Sequence, residues 1–590
     1  MCGITALFAY GDDAAPVSRQ EVESITQRMF ARGPDAGGTW FSADGRVGLG
    51  SRRLAIIDLS PDGEQPMLDS TGELAIVFNG EIYNYAELRE RLIRRGATFR
   101  SHGDTEVLLE AYRAYGAEMV ELLRGMFAFC IWDSRTRQMF VARDPYGIKP
   151  LFIADDGRTL RIASQVKALL AGGAISRTRD PAGTAGFFLL GSVPEPFTMY
   201  DSIRCIEAGT SFFVGARGRE QRRHHSIAAV LARAARQQTT ARLVEPATLM
   251  RELVSQSVAS HLVADVPVGA FLSAGIDSTT LVALAEAAGD TSIRTVTLAF
   301  EEFRGTPSDE SPLAERFARE RGTTHTTRVV TRDEFHRDIG AFFEAMDQPT
   351  IDGTNTWFVS KAAAEEGLKV ALSGLGGDEL FGSYPSFRDL PRIVSWSRSR
   401  LRSPMMRLAA RTLRRRNPKT ASLAQYGDTY AGAYLVKRGL FLPEELASVI
   451  GAETAEEGLR RLDLVARIGQ AIDPDPATPF GRVAALEASL YMRNQLLRDT
   501  DWSSMAHSLE VRTPLVDAHL LRQLAPLLLQ QGRDAKQLFA AAALPPLPEW
   551  LTNRRKTGFA VPLKEWMSLP PDGTSTRMRS WARVVMERYG

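Results

Sequence analysis

The chain is poor in cysteine, with 3 in 590 residues. That is too few for a disulfide-stapled secreted scaffold, and their spacing fits no zinc site. Charge imbalance is also nearly missing: 72 basic against 70 acidic residues leave a formal net charge of +2, which gives no bulk attraction to nucleic acid or anionic lipid. No uninterrupted apolar run approaches the ~20 residues of a membrane helix. The N-terminus lacks the basic region and apolar stretch of a signal peptide, so a cytoplasmic protein is expected. Internal repeats and low-complexity tracts are absent too. What is present is ordinary globular material, 44% hydrophobic, 24% charged and 8% aromatic. Over this length it supports more than one sizeable core and excludes global disorder.

The pattern changes along the chain. Up to residue 213, apolar or β-branched runs at Ile4–Phe8, Leu54–Ile57, Leu74–Phe78, Met126–Trp132 and Met139–Ala142 are punctuated by Gly, Asp, Asn and Pro, which predicts strands. Helices are expected at Tyr85–Arg95 and Asp104–Tyr115. Residues 2–213 therefore read as an α+β layered sandwich. Residues 214–245, rich in Arg, Gln, Ala and Thr with little periodicity, read as a linker. From 246 to 590 the text alternates. Strands at Val266–Leu272, Thr295–Phe300, Thr327–Val330 and Lys369–Leu372 are separated by helices such as Ser278–Ala288 and Leu313–Gly322, which predicts a doubly wound parallel sheet. Beyond about residue 390 the chain reads as largely helical. The segment 390–427 has no acidic residue but nine arginines: Arg392, Arg398, Arg400, Arg402, Arg407, Arg411, Arg414, Arg415 and Arg416. A solvated helical insert is the main reading; a basic surface contacting a membrane or polyanion is the second.

Cys2 follows the initiator methionine. Removal of Met1 would give Cys2 a free α-amine, which titrates near neutrality and can take the proton of its own thiol. One residue would then be both nucleophile and base. Downstream come Arg32-Gly33-Pro34-Asp35, Arg53-Leu54-Ala55-Ile56, Asn79-Gly80-Glu81-Ile82-Tyr83-Asn84 and Gly103-Asp104-Thr105-Glu106. Following Cys2 in this order, they resemble the class II glutamine amidotransferases. The resemblance implies that Arg53 pairs with the α-carboxylate of glutamine and Asp104 with its α-ammonium. Glu81 would help seat the substrate, and the Asn79 side chain and Gly80 N–H would form the oxyanion hole. Acyl transfer needs two such donors, and a zwitterion needs one group of each sign.

Leu272-Ser273-Ala274-Gly275-Ile276-Asp277-Ser278 lies where a buried strand meets a helix, so backbone N–H groups and a helix N-terminus face a ligand at the carboxyl edge of the sheet. It is no Walker A loop, since no Gly-Lys-Ser/Thr follows. It resembles the pyrophosphate loop of ATP pyrophosphatases, with Ala274 where a glycine is usual. Ser373-Gly374-Leu375-Gly376-Gly377-Asp378-Glu379 follows a second apolar strand. With residues 505–514 (Met-Ala-His-Ser-Leu-Glu-Val-Arg-Thr-Pro) and Lys556-Thr557-Gly558-Phe559, this half is similar to glutamine-hydrolysing asparagine synthetases, in order through about Trp566. The resemblance implies ATP binding by Leu272, Ser273, Gly275, Asp277, Ser278, Leu298, Ser373, Gly374 and Lys556. It implies Mg²⁺ at Asp277 and Asp378, and an acceptor site around Leu375, Asp378 and Glu379. At Leu375 the synthetases carry a glutamate, and leucine can neither accept a proton nor carry charge.

The resemblance thus implies an AMP-forming ligase with ATP and Mg²⁺ and no redox or organic cofactor. Glutamine would be hydrolysed through a Cys2 thioester, and ammonia would pass through an internal channel to an acyl-adenylate. Aspartate is the expected acceptor, and another carboxylate is the alternative that Leu375 raises. No nucleic acid or transmembrane segment is expected; a homodimer is one expected assembly. An amidotransferase feeding a sugar-phosphate or phosphoribosyl acceptor would have no Ser273–Ser278 loop. A lasso-peptide cyclase or β-lactam synthetase typically lacks the N-terminal cysteine. A non-catalytic scaffolding homologue would need neither site.

Overall fold

The computed structural model describes residues 2–237, 245–289, 293–398, 418–554, 561–567 and 574–589. The N-terminal half is built on two six-stranded antiparallel sheets. The first runs in the order Arg204–Cys205, Phe152–Asp155, Thr159–Ala163, Cys2–Ala9, Val47–Arg53, Ala36–Phe41. The second runs Gly218–Arg223, Thr210–Gly215, Gln138–Arg143, Gly125–Asp133, Leu74–Ile82, Met67–Leu68. Strand side chains alternate between faces. Ile4, Ala6 and Phe8 therefore meet Ala75, Val77 and Cys130 in the space between the sheets. Leu7 points outward to Val22 and Ile25 of the helix Arg19–Arg28. On the far side Phe78 and Phe129 meet Leu108 and Tyr112 of the helix Asp104–Tyr115. Helix, sheet, sheet and helix form four layers, the layered sandwich expected from the sequence. Both faces of the central strands are buried, which is why Cys2–Ala9 reads as a continuous apolar run and not as an alternation.

The C-terminal half carries a five-stranded sheet, Thr324–Val330, Arg294–Phe300, Val268–Phe271, Val370–Leu372, Glu510–Arg512, parallel throughout. Helices follow and flank it, and beyond residue 377 the described chain is helical apart from the strand Glu510–Arg512. Among the described residues no helix is long and apolar enough to cross a membrane.

Two sequence expectations are corrected. Leu54–Ile57 is not a strand: the strand ends at Arg53. Leu54, Ile56 and Ile57 instead pack against Val370 and Met505 of the other half, and Asp265 N–H donates to the Ile56 carbonyl at 2.8 Å. Their apolar character reports burial between halves, not a place in a sheet. The stretch 214–245 is also ordered over much of its length. Gly218–Arg223 is the fully exposed edge strand of the second sheet, and Ile227–Gln237 is a helix that buries Ile227, Leu231 and Ala234. An edge strand open on both faces has no alternation to read, and the apolar face of the helix is made largely of alanines, with only Ile227, Val230 and Leu231 as large apolar residues. Lys556 and residues 399–417 of the arginine-rich segment lie outside the described residues.

Candidate active sites

Cys2 and Asn79 stand on the inner faces of the two facing sheets, near the end of each strand. Cys2 N donates to Asn79 Oδ1 at 3.0 Å. Asn79 is fully buried, and its Nδ2 has no hydrogen-bond partner among the described residues. It is a buried donor on the side chain that holds the Cys2 nitrogen. Gly80 adopts φ +155°, and a Cβ there would sit 2.1 Å from the Met126 carbonyl, so the adjoining backbone approach admits only glycine. Arg53 is paired with Cys2 across the strands. Its guanidinium is anchored on the carbonyls of Ile57 and Asp58. Asp104 opens its helix and accepts from Ile82 N–H at 2.9 Å. Burial pushes the Cys2 thiol up, opposed by the positive charge of the chain's amino terminus and then by Arg53. Burial also raises Glu81 and Asp104, each buried near further carboxylates. The six sequence-predicted residues of the first site thus converge at one end of the sandwich.

That end faces the other half. Arg32 is 1% exposed and donates Nε to the Cys2 carbonyl at 3.2 Å, while Nη1 and Nη2 grip both Asp501 oxygens at 2.7 and 2.9 Å. Glu81 lies 3.7 Å from Arg512, whose Nε donates to Glu510 at 2.6 Å.

The second site is a cavity of about 540 Å³ at the carboxyl edge of the parallel sheet. It is lined by Leu272, Ser273, Gly275, Asp277 and Ser278 from the first loop, by Ser373, Gly374, Leu375, Asp378 and Glu379 from the second, and by Leu298 from the neighbouring strand. The first loop is closed on itself: Ser278 Oγ takes Ser273 N–H at 3.1 Å, and Ser273 Oγ takes Gly275 N–H at 3.2 Å. Ala274 is buried without disturbing these bonds. The two loops touch. A Cβ on Gly377 would lie 2.5 Å from Asp277 Oδ1, and one on Gly374 would lie 2.9 Å from Asp277 Cβ.

Three features escape the sequence reading. Lys536 reaches in from a separate helix, bonds Asp277, and lies 3.7 Å from Asp378. Arg554, paired with Glu310 at 3.1 Å, lines the same cavity. Tyr384 donates its hydroxyl to Glu379 at 2.8 Å. Lys536 lies 259 residues from Asp277 in no recognisable motif, so only the packed chain brings it there. Burial, then the neighbouring Asp378 carboxylate, raises Glu379 to about 7.

The fit to Mg²⁺ can be judged from these donors. Among the described residues no group of three or more His, Cys, Asp or Glu could hold a metal by itself. Asp277 and Asp378 already share one cation, the Lys536 ammonium. Two carboxylates on one side suit an ion that takes its remaining oxygens from phosphates and water.

A buried strand-end cysteine with an amide donor beside it, coupled to a sheet-edge cavity, defines a class, and comparison with known proteins agrees. Residues 1–225 match the glutamine amidotransferase domain, and the protein is a glutamine-dependent, ATP-using ligase. Residues 249–580, more than half of the chain, match asparagine synthase, and the chain belongs to the asparagine synthase family. It is 32% identical to the putative glutamine-hydrolysing asparagine synthetase of Mycobacterium tuberculosis, over 96% of this chain and 88% of that protein. It is 30% identical to asparagine synthetase 1 of Bacillus subtilis, over 100% of this chain and 90% of that protein. It is also 30% identical to amidase chry2 of Gibberella zeae, over 66% of this chain and 60% of that protein.

Proposed function

We propose that the protein transfers the amide nitrogen of glutamine to a carboxylate in an AMP-forming reaction, with aspartate the default acceptor and asparagine the product. The observation that carries the first half is the pairing of Cys2 with Asn79, whose Nδ2 is a buried donor without a partner among the described residues. Once Met1 is removed, the α-amine of Cys2 takes the thiol proton. The sulfur then attacks the glutamine carboxamide while Asn79 Nδ2 and Gly80 N–H hold the oxyanion. Ammonia leaves, and water releases glutamate from the thioester. Arg53 and Asp104 hold the ends of the zwitterion, and Glu81 helps to seat it.

At the second site the acceptor carboxylate attacks the α-phosphorus of ATP and pyrophosphate departs. Ser273, Gly275, Ser278, Ser373 and Gly374 would bind the nucleotide beside Leu272 and Leu298. Asp277 and Asp378 would hold Mg²⁺, which neutralises the phosphates when bound. Lys536 and Lys556 supply further positive charge. Ammonia displaces AMP and must lose a proton on the way to the amide. Leu375 cannot take it, whereas Glu379 lines the same cavity with a raised pKa and is the carboxylate we assign to this step. A cytoplasmic setting supplies both ATP and glutamine.

A second reading, the same chemistry on another acceptor, is favoured by Leu375. One assay separates them: pyrophosphate release from ATP with ammonia and Mg²⁺, with and without aspartate. Aspartate-dependent release with asparagine formed would select the first reading; release only with another carboxylate would select the second. ADP and phosphate in place of AMP and pyrophosphate would defeat the adenylation mechanism.

A further inference from the structure

The nucleotide cavity is not closed. Phe303, Asp352, Asn355 and Tyr491 also form part of the wall of a second chamber of about 600 Å³. At the ~30 Å³ share of a water molecule, that is room for about twenty water-sized groups. Aspartate would fill well under half of it. The chamber is built, not a surface dent. One wall is the π-helical stretch Glu487–Leu497, whose wide turns present Leu490, Tyr491, Asn494 and Gln495 to it. π-Helical turns are rare and concentrate at functional sites. Tyr434 and Trp581 complete the aromatic part of the lining.

Of the five charged side chains of this wall, Asp352, Lys419 and Arg438 are engaged within the protein. Arg438 donates to Glu487 at 2.7 Å and lies over the rings of Tyr384 and Tyr491, at 4.7 and 4.0 Å. The Lys419 ammonium donates to the Gly439 carbonyl at 2.6 Å. Asp352 is taken by Gly353 N–H at 2.9 Å and by the Gln495 side chain. An α-ammonium would therefore compete with bonds already made. Two wall atoms are buried without a hydrogen-bond partner among the described residues: Thr354 Oγ1 and Arg577 Nε. Unmade buried polar groups are costly, so a ligand that meets these two gains most.

We propose that this chamber receives the body of the acceptor. The acceptor is a carboxylic acid larger than aspartate, with an uncharged hydroxyl- or amide-bearing body and an oxygen that reaches Thr354 and Arg577. This rests on the second reading above, the same ligase chemistry on another acceptor: the carboxylate to be amidated lies at the Leu375 end, and the rest of the molecule extends past Tyr491. A sugar acid and an acylated peptide acid share this chemistry.

The test measures kcat/KM for ammonia-dependent pyrophosphate release with aspartate, D-glucuronate and N-acetyl-Ala-Gln as separate acceptors. It is run on the wild type, Leu490→Trp, which fills the chamber, and Thr354→Val, which removes the hydroxyl at nearly constant volume. The expected result is that one larger acid exceeds aspartate by at least tenfold. Leu490→Trp then abolishes that advantage, and Thr354→Val raises KM for the larger acid about tenfold with little change in kcat. Thr354→Val keeps the test decisive should Leu490→Trp fail to fold. Aspartate as the best acceptor, indifferent to both variants, overturns the chamber assignment while leaving the ligase intact. Silence with every acid, in protein that still hydrolyses glutamine, sinks the ligase reading and the chamber with it.

Discussion

The Asn79 amide uses its oxygen on Cys2 and leaves its nitrogen buried without a partner among the described residues. Such a donor costs about 1–3 kcal/mol when unmade, a cost relieved when an oxyanion forms beside it. Asn79→Ala should lower glutamine hydrolysis by ~10²–10³-fold and leave ammonia-dependent amide formation unchanged. Equal loss in both assays would show that Asn79 is structural. Cys2→Ala should abolish the glutamine-dependent reaction alone. At the second site, Glu379 acts as a base only when ionised. Its pKa is raised to about 7, so ammonia-dependent turnover should climb as pH rises through 7, measured at constant free ammonia. Glu379→Gln should flatten that profile and slow turnover. A profile unchanged in Glu379→Gln would remove Glu379 from proton transfer. Leu375 gave a warning from sequence alone, because leucine lacks a titratable group. That a carboxylate four residues on faces the same cavity, with a Tyr384 hydroxyl on it, is a fact of the turn and the helix Gly377–Phe381 that follows it.

The two loops of the second site work as one element. Asp277 sits over Gly374 and Gly377 so closely that a methyl at Gly377 would meet its carboxylate at 2.5 Å. Gly377→Ala should therefore push the loops apart, cutting AMP formation at least tenfold while glutamine hydrolysis and the melting temperature change little. A variant with normal AMP formation would show that the contact is not needed. Each loop was legible in the sequence as a small-residue run between an apolar strand and a helix. Their interlock was not, since Gly377 lies 100 positions after Asp277 in the chain and no local pattern encodes the approach. The helix Ile227–Gln237 was missed for a related reason: its apolar face is mostly alanine, and its partner is the distant helix Ala518–Gln531.

Across the whole molecule, the halves are joined by buried charge as well as by apolar contact. Arg32 ties the Cys2 carbonyl to Asp501, Arg124 reaches Asp517 at 2.6 Å, and Arg512 lies beside Glu81. Breaking a buried pair by removing one partner costs ~3–5 kcal/mol, so Arg32→Met should lower the melting temperature by several degrees. Asp501→Asn, which lies in the half without the cysteine, should raise KM for glutamine through the slackened Arg32. If it lowers only the melting temperature, the two sites are not linked through this pair.

Order and chemistry along the chain determined the layered N-terminal half, the parallel sheet, the cysteine site and both loops, because each is built from short motifs or strand and helix patterns that speak through local geometry. Lys536 between two carboxylates, Arg32 across the interface and the chamber behind Tyr491 were decided only when the chain packed. Each depends on side chains from separate elements meeting in three dimensions, and no periodicity or spacing records that meeting.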